Sequence, residues 1–144
     1  MNAYVTDTNA LIWNLTASSR LTDPARQCFD QADAGEARIY IPIICIVELI
    51  YLSERNRIPA DLVRQTLDRV NTPNGSYALS LLDREVLEKV PAVLRDAVPD
   101  MPDRLVVATA LALNLPLLTS DRAIHASALV PIIWFPPASS VDPL

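Results

Sequence analysis

The chain has 144 residues, enough for one domain with a substantial core, and its 51% hydrophobic and 20% charged content excludes a disordered segment. The densest apolar run, Ile39 to Leu52, is interrupted by Pro42 and Glu48 and is too short to span a bilayer. No basic, small-residue leader precedes the first segment, so a soluble, cytoplasmic protein with no membrane partner is expected. A net charge of −5 argues against a generic nucleic-acid binder, unless much of the acidity is gathered in a metal site.

In chain order, Ala3 to Thr6 reads as a short strand that ends at Asp7, and the segment from Thr8 to Trp13 starts a helix. Asp23-Pro24 has the form of an N-cap followed by proline at the first helical position, predicting a helix that stops near Gly35. Arg38 to Ile41 is a second strand, and Pro42 opens a helix reaching about Arg55. Leu62, Val63, Thr66, Leu67 and Val70 share one helical stripe after Pro59. Ser76 to Leu82 reads as a strand, Asp83 as the cap of the next helix, and Pro91 as its kink or end. Pro102 opens a helix to about Asn114, Leu117 to Thr119 is a strand, and Val130 to Phe135 is the last. Residues 136–144 are expected to fray.

Strands alternating with helices predict an α/β fold, a parallel sheet covered on both faces. Right-handed crossovers place all strand ends on one edge, where ligands bind. Asp7 and Asp121 each follow a strand directly and belong at that edge.

Glu48 lies in Ile43-Ile44-Cys45-Ile46-Val47-Glu48-Leu49-Ile50-Tyr51-Leu52, apolar on every helical face, which predicts a buried helix. A carboxylate there needs a partner: a metal ion, an ion pair with Arg104 or Arg122, or solvent at a helix end. Asp103 heads the apolar helix that follows, and Asp100-Met101-Pro102-Asp103 has capping-box spacing, so capping and ligation can coexist. Asp7 and Asp121 have the same alternative role as N-caps. Asn9 and Thr119 stand beside them as groups able to hydrogen-bond ligating oxygens, and Ser120 reads as a turn residue. Four carboxylates with oxygen donors alone suit Mg²⁺ or Mn²⁺ rather than zinc or copper, and such ions act on phosphates. His125, the single histidine, is read as a surface or half-buried side chain outside the site. Cys28 and Cys45 lack ligand spacing and are expected to be buried small hydrophobes. There is no dinucleotide fingerprint and no P-loop.

The chain resembles the PIN domains, in particular the VapC-type toxins of toxin–antitoxin pairs. The resemblance rests on Thr6-Asp7-Thr8-Asn9-Ala10-Leu11-Ile12-Trp13, on Glu48, on Pro102-Asp103-Arg104-Leu105-Val106-Val107-Ala108-Thr109-Ala110, and on Leu117-Leu118-Thr119-Ser120-Asp121, in that order. It implies a single three-layer domain over residues 1–135, with a five-stranded parallel sheet between helices. It further implies Mg²⁺- or Mn²⁺-dependent cleavage of single-stranded RNA, with Asp7, Glu48, Asp103 and Asp121 as catalytic and metal-binding residues. Homodimerisation and inhibition by a cognate antitoxin protein belong to the same expectation. The basic residues are not clustered, and Arg20, Arg104 and Arg122 are the candidates for holding RNA. The residues alone leave open a phosphoesterase acting on another substrate and a non-catalytic binding module.

Overall fold

The computed structural model describes residues 1–134. Four parallel strands form the sheet: β1 (Asn2–Thr6), β2 (Ala37–Pro42), β3 (Tyr77–Ser80) and β4 (Leu117–Leu118). Their order is β3-β2-β1-β4. From β1 the chain first builds outward through β2 to β3, then returns to place β4 on the other side of β1. The direction of winding therefore reverses between β1 and β4, and the crevice beyond their carboxyl ends is where such sheets bind ligands.

The helices are α1 (Thr8–Leu15), α2 (Asp23–Asp33), α3 (Ile43–Glu54), α4 (Leu62–Asn71), α5 (Arg84–Lys89), α6 (Met101–Leu113) and α7 (Arg122–Ser127). Pro91 ends α5 by turning the chain into a single 3₁₀ turn, Val90–Ala92, because proline cannot donate the next helical hydrogen bond. Asn114 closes α6 in the left-handed conformation (φ 55°) that asparagine tolerates at helix ends. The core runs through the sheet's two faces: Val5, Ile39, Ile41, Leu117 and Leu118 are fully buried against Leu11, Phe29, Leu49, Val106 and Ile124. Both cysteines are buried within it. Among the described residues no helix is long and apolar enough to cross a membrane.

Four expectations need correcting. The fifth strand is reduced to one parallel bridge, Leu117 to Ile132, with Leu117 donating to the Pro131 carbonyl and Ile133 donating to the Leu117 carbonyl. A two-residue β4 offers too little ladder for a longer partner; Phe135 and the tail 136–144 lie outside the described residues. Thr22 rather than Asp23 holds the N-cap position of α2, without a side-chain cap hydrogen bond, and Asp23 sits in the first turn and pairs with Arg26. Asp100 holds the N-cap position of α6 without a side-chain cap hydrogen bond, so the capping box does not form. Finally, α3 is not buried all round: Val47 is 40%, Ile50 37% and Tyr51 64% exposed, a stripe at helical spacing.

Candidate metal centre

Each of the four acids is set by a different element. Asp7 follows β1 in extended conformation, and its Oδ1 accepts the Ala10 N–H at 2.8 Å, capping α1. Asp121 repeats the device after β4, accepting the Ile124 N–H at 2.9 Å to cap α7. An N-cap fixes a carboxylate to the backbone while leaving its other oxygen free to reach a ligand. Capping and a place in the site are thus compatible, as the sequence reading allowed.

Glu48 comes from the second turn of α3, and Asp103 from the first turn of α6. Helix α3 follows β2 and α6 precedes β4; the two pack on each other, and α3 also contacts α1. The Thr8 hydroxyl donates a short hydrogen bond to Glu48 Oε1. Glu48 is half-buried rather than enclosed. Neither arginine that sequence reasoning offered as its salt-bridge partner takes that role: among the described residues the only ion pairs lie on α2 and α4.

The four carboxylates line one pocket of about 310 Å³ together with Thr8, Asn9, Leu52, Val106, Ser120 and no Lys or Arg among the described residues. Burial pushes the Asp7 carboxyl up to about 6, with the nearby charges of Asp121 and Glu48 adding to the shift and hydrogen bonds from Thr119 and the Ala10 amide opposing it. Asp103 is pushed up to about 7, first by burial, then by Asp121, Asp100, Asp7 and Glu48. Asp7 and Asp103 thus each feel the negative charges of Asp121 and Glu48 in a partly desolvated space. Among the described residues no three His, Cys, Asp or Glu side chains close to coordinating distance. The four acids thus share one pocket without forming a closed ligand set among the described residues.

The surrounding groups divide clearly. Thr119 is fully buried; its hydroxyl accepts the Asp121 N–H at 3.0 Å, and it lowers the Asp7 carboxyl against the upward push of burial. His125, read as lying outside the pocket, does so, and its Nε2 sits 2.7 Å from the Thr119 carbonyl. Asn9 is exposed at the rim. Arg122 is exposed at the start of α7 and does not line the pocket. Arg104 does not line it either, because its Nε donates to the Val93 carbonyl at 2.9 Å and a terminal nitrogen to the Val90 carbonyl at 3.1 Å. Its guanidinium holds the 3₁₀ turn onto α6. Sequence reasoning missed Thr8, whose signal was a small hydroxyl directly after a strand-end aspartate; Ser120, read as a turn residue, also lines the pocket.

Residues 4–128 match the family model of the PIN domain. The chain belongs to the PIN family. No curated protein matches it by sequence. Solved structures of the same fold do, at low identity. A toxin–antitoxin complex from Klebsiella pneumoniae matches at 20% identity and TM-score 0.60, over 88% of this chain and 94% of the other. DNA-bound VapBC from Salmonella typhimurium matches at 16% identity and TM-score 0.67, over 92% and 97%. FitAcB from Neisseria gonorrhoeae matches at 16% identity and TM-score 0.60, over 90% and 96%. These likenesses extend the PIN fold over nearly the whole chain.

Proposed function

We propose that this PIN domain is a Mg²⁺- or Mn²⁺-dependent endoribonuclease that cuts single-stranded RNA, and that it is the toxin of a VapBC-type pair. The observation that carries the reading is the convergence of Asp7, Glu48, Asp103 and Asp121 on one pocket at the sheet's switch point. Membership of a nuclease family supports phosphodiester hydrolysis, and the donor set suits a hard divalent cation.

Asp7, Glu48 and Asp103 would hold the ion, directly or through water, and Asp121 would complete the set or orient water. When bound, the ion would supply positive charge to the attacked phosphate and acidify a water molecule. The chain's own contribution is positional. Thr119 accepts the Asp121 N–H, Thr8 donates to Glu48, and Leu52 and Val106 add apolar surface to the pocket. Asn9 at the rim can hydrogen-bond substrate or a ligating oxygen. Arg122 stands near enough in sequence to Asp121 to meet RNA outside the pocket, whereas Arg104 serves the local fold.

A cognate antitoxin and a homodimer complete the proposal. The solved relatives are toxin–antitoxin or VapBC complexes by their own description, and the exposed α3 stripe beside Glu48 is apolar surface of the kind that partners cover. A cytoplasmic location follows from this role. The test is cleavage of a mixed single-stranded RNA by purified protein with Mg²⁺, Mn²⁺ or EDTA, beside Glu48→Gln, single-stranded DNA and a chromogenic phosphate ester. Metal-dependent cleavage of RNA that disappears in the variant supports the reading. Turnover confined to DNA or the ester would replace it with another phosphoesterase. Partner binding without cleavage under any metal would replace it with a binding module.

A further inference from the structure

We propose that Arg20, braced on the ring of Trp13, is a phosphate-binding contact for the RNA strand as it leaves the carboxylate pocket. This rests on the ribonuclease reading above and adds to it the first anchoring point outside the metal centre.

The pocket creates the need. Its described lining carries four acids and no cation, so a polyanion threading it gains no favourable charge from the walls themselves. A cation beside the pocket is therefore worth more to this protein than to a basic nuclease. Arg26, Arg64 and Arg104 are engaged elsewhere: Arg26 with Asp23, Arg64 with Asp61 and Asp68, and Arg104 with the Val90 and Val93 carbonyls. Arg20 is exposed, and among the described residues no carboxylate lies within ion-pair distance of it.

Local structure places it deliberately. Asn9 lines the pocket, and Trp13, four residues on, stands on the same face of α1 one turn away, roughly 6 Å along the helix surface. Helix α1 ends in a Schellman turn: Ala17 adopts φ 52°, Ser18 donates to the Trp13 carbonyl and Ala17 to the Asn14 carbonyl. That turn folds the chain back along the helix it has just left. Arg20 consequently returns over Trp13, with its guanidinium carbon 5.6 Å from the ring centroid. The ring is itself held by the buried Trp134, whose centroid is 5.7 Å away at a 49° tilt. The loop is tied down from α2, because Arg26 donates to the carbonyls of Ser18 and Leu21. A planar guanidinium laid on an aromatic face loses little freedom on binding and keeps its edge N–H groups for phosphate oxygens. Combined cationic and aromatic surfaces are what tracks for single-stranded nucleic acid use.

The test is equilibrium binding of a fluorescein-labelled single-stranded RNA in Mg²⁺, with Glu48→Gln as the non-cleaving background. Adding Arg20→Ala should weaken binding about three- to tenfold and flatten the plot of log K against log salt by about 0.7. Arg20→Lys should restore the salt slope but only part of the affinity, since an ammonium does not stack as a guanidinium does. Arg64→Ala, which removes the same charge from the exposed surface of α4, is the control. An equal loss in Arg20→Ala and Arg64→Ala would mean a general effect of net charge and would overturn the assignment, as would an unchanged salt slope in Arg20→Ala. If the Glu48→Gln background binds no RNA at all, the ribonuclease reading falls and this contact with it; if it binds RNA but is indifferent to Arg20, only the contact falls.

Discussion

Asp7 and Asp121 stand at the ends of neighbouring parallel strands, each anchored by accepting a backbone N–H from the helix it starts, whereas Glu48 and Asp103 ride on helices that pack over the sheet. The first pair is fixed by the same hydrogen bonds that fix the fold. The second pair is fixed by helix packing, with a Thr8 hydrogen bond for Glu48 and, among the described residues, no hydrogen bond to the Asp103 carboxylate. One half of the site is therefore pre-set by backbone geometry, and the other half is free to close around an ion. This division predicts that substitutions in the two halves separate activity from stability in different ways.

The largest effect is expected at Asp7. Asp7→Asn should lower RNA cleavage by at least about a hundredfold, since even outer-shell metal partners are worth 10–100-fold. The fold should survive because asparagine caps helices as well as aspartate does. Without metal the variant should also be the more stable protein at pH 7.5, as it removes a buried carboxylate that is ionised there. The sign follows from the raised pKa. Below about pH 4 both folded and unfolded chains hold the Asp7 proton, and no penalty exists. Between about 4 and 6 the folded state keeps a proton that the unfolded state has lost, so stability falls as pH rises, by on the order of 3 kcal/mol in total. Asp103 extends the decline to about pH 7. Urea unfolding in EDTA from pH 4 to 8 checks this: wild type should weaken with pH, Asp7→Asn should weaken less, and Mn²⁺ should reverse the trend at neutral pH. A metal-free protein that grows more stable across that range would break the picture.

Glu48→Gln sharpens the comparison. It should match Asp7→Asn in lost cleavage, yet change metal-free stability by less than about 1 kcal/mol, because the half-exposed side chain caps nothing and glutamine can still accept from Thr8. At Asp121, if its part is to orient water, asparagine should cost about tenfold in rate, and only Asp121→Ala should add about 1 kcal/mol of instability through the lost cap. The smallest effect belongs to Asn114→Gly at the opposite end of α6 from Asp103. Glycine relieves the left-handed strain and should stabilise by a few tenths of a kcal/mol in a thermal melt, with cleavage unchanged.

The strand-end half of the site was the more legible in the sequence. A short β-prone run ending in aspartate needs only local reading, so Asp7, Asp121 and the caps they make were found directly. Glu48 was found for a partly mistaken reason: an all-apolar helix implied enclosure, but α3 leaves Val47, Ile50 and Tyr51 in solvent, and the acid lies at the margin of that open stripe. Which apolar faces a sheet covers depends on tertiary packing that periodicity does not contain. The same limit explains Arg104, whose neighbour Asp103 suggested a role in the pocket while two main-chain carbonyls eleven and fourteen residues back claim its donors. It explains the last strand too, since β-propensity in residues 130–135 does not reveal that β4 offers only two residues to pair with.

The strand order has a consequence for how the protein is made. Because β4 lies against β1, the pocket joins residue 7 to residue 121, and folding that proceeds from the N-terminus during synthesis brings Asp121 to the site after the other three acids. A chain still emerging from the ribosome lacks both the strand that completes the sheet and the acid that completes the set. For a protein proposed to cut RNA, the acid that completes the pocket is the last of the four to be synthesised.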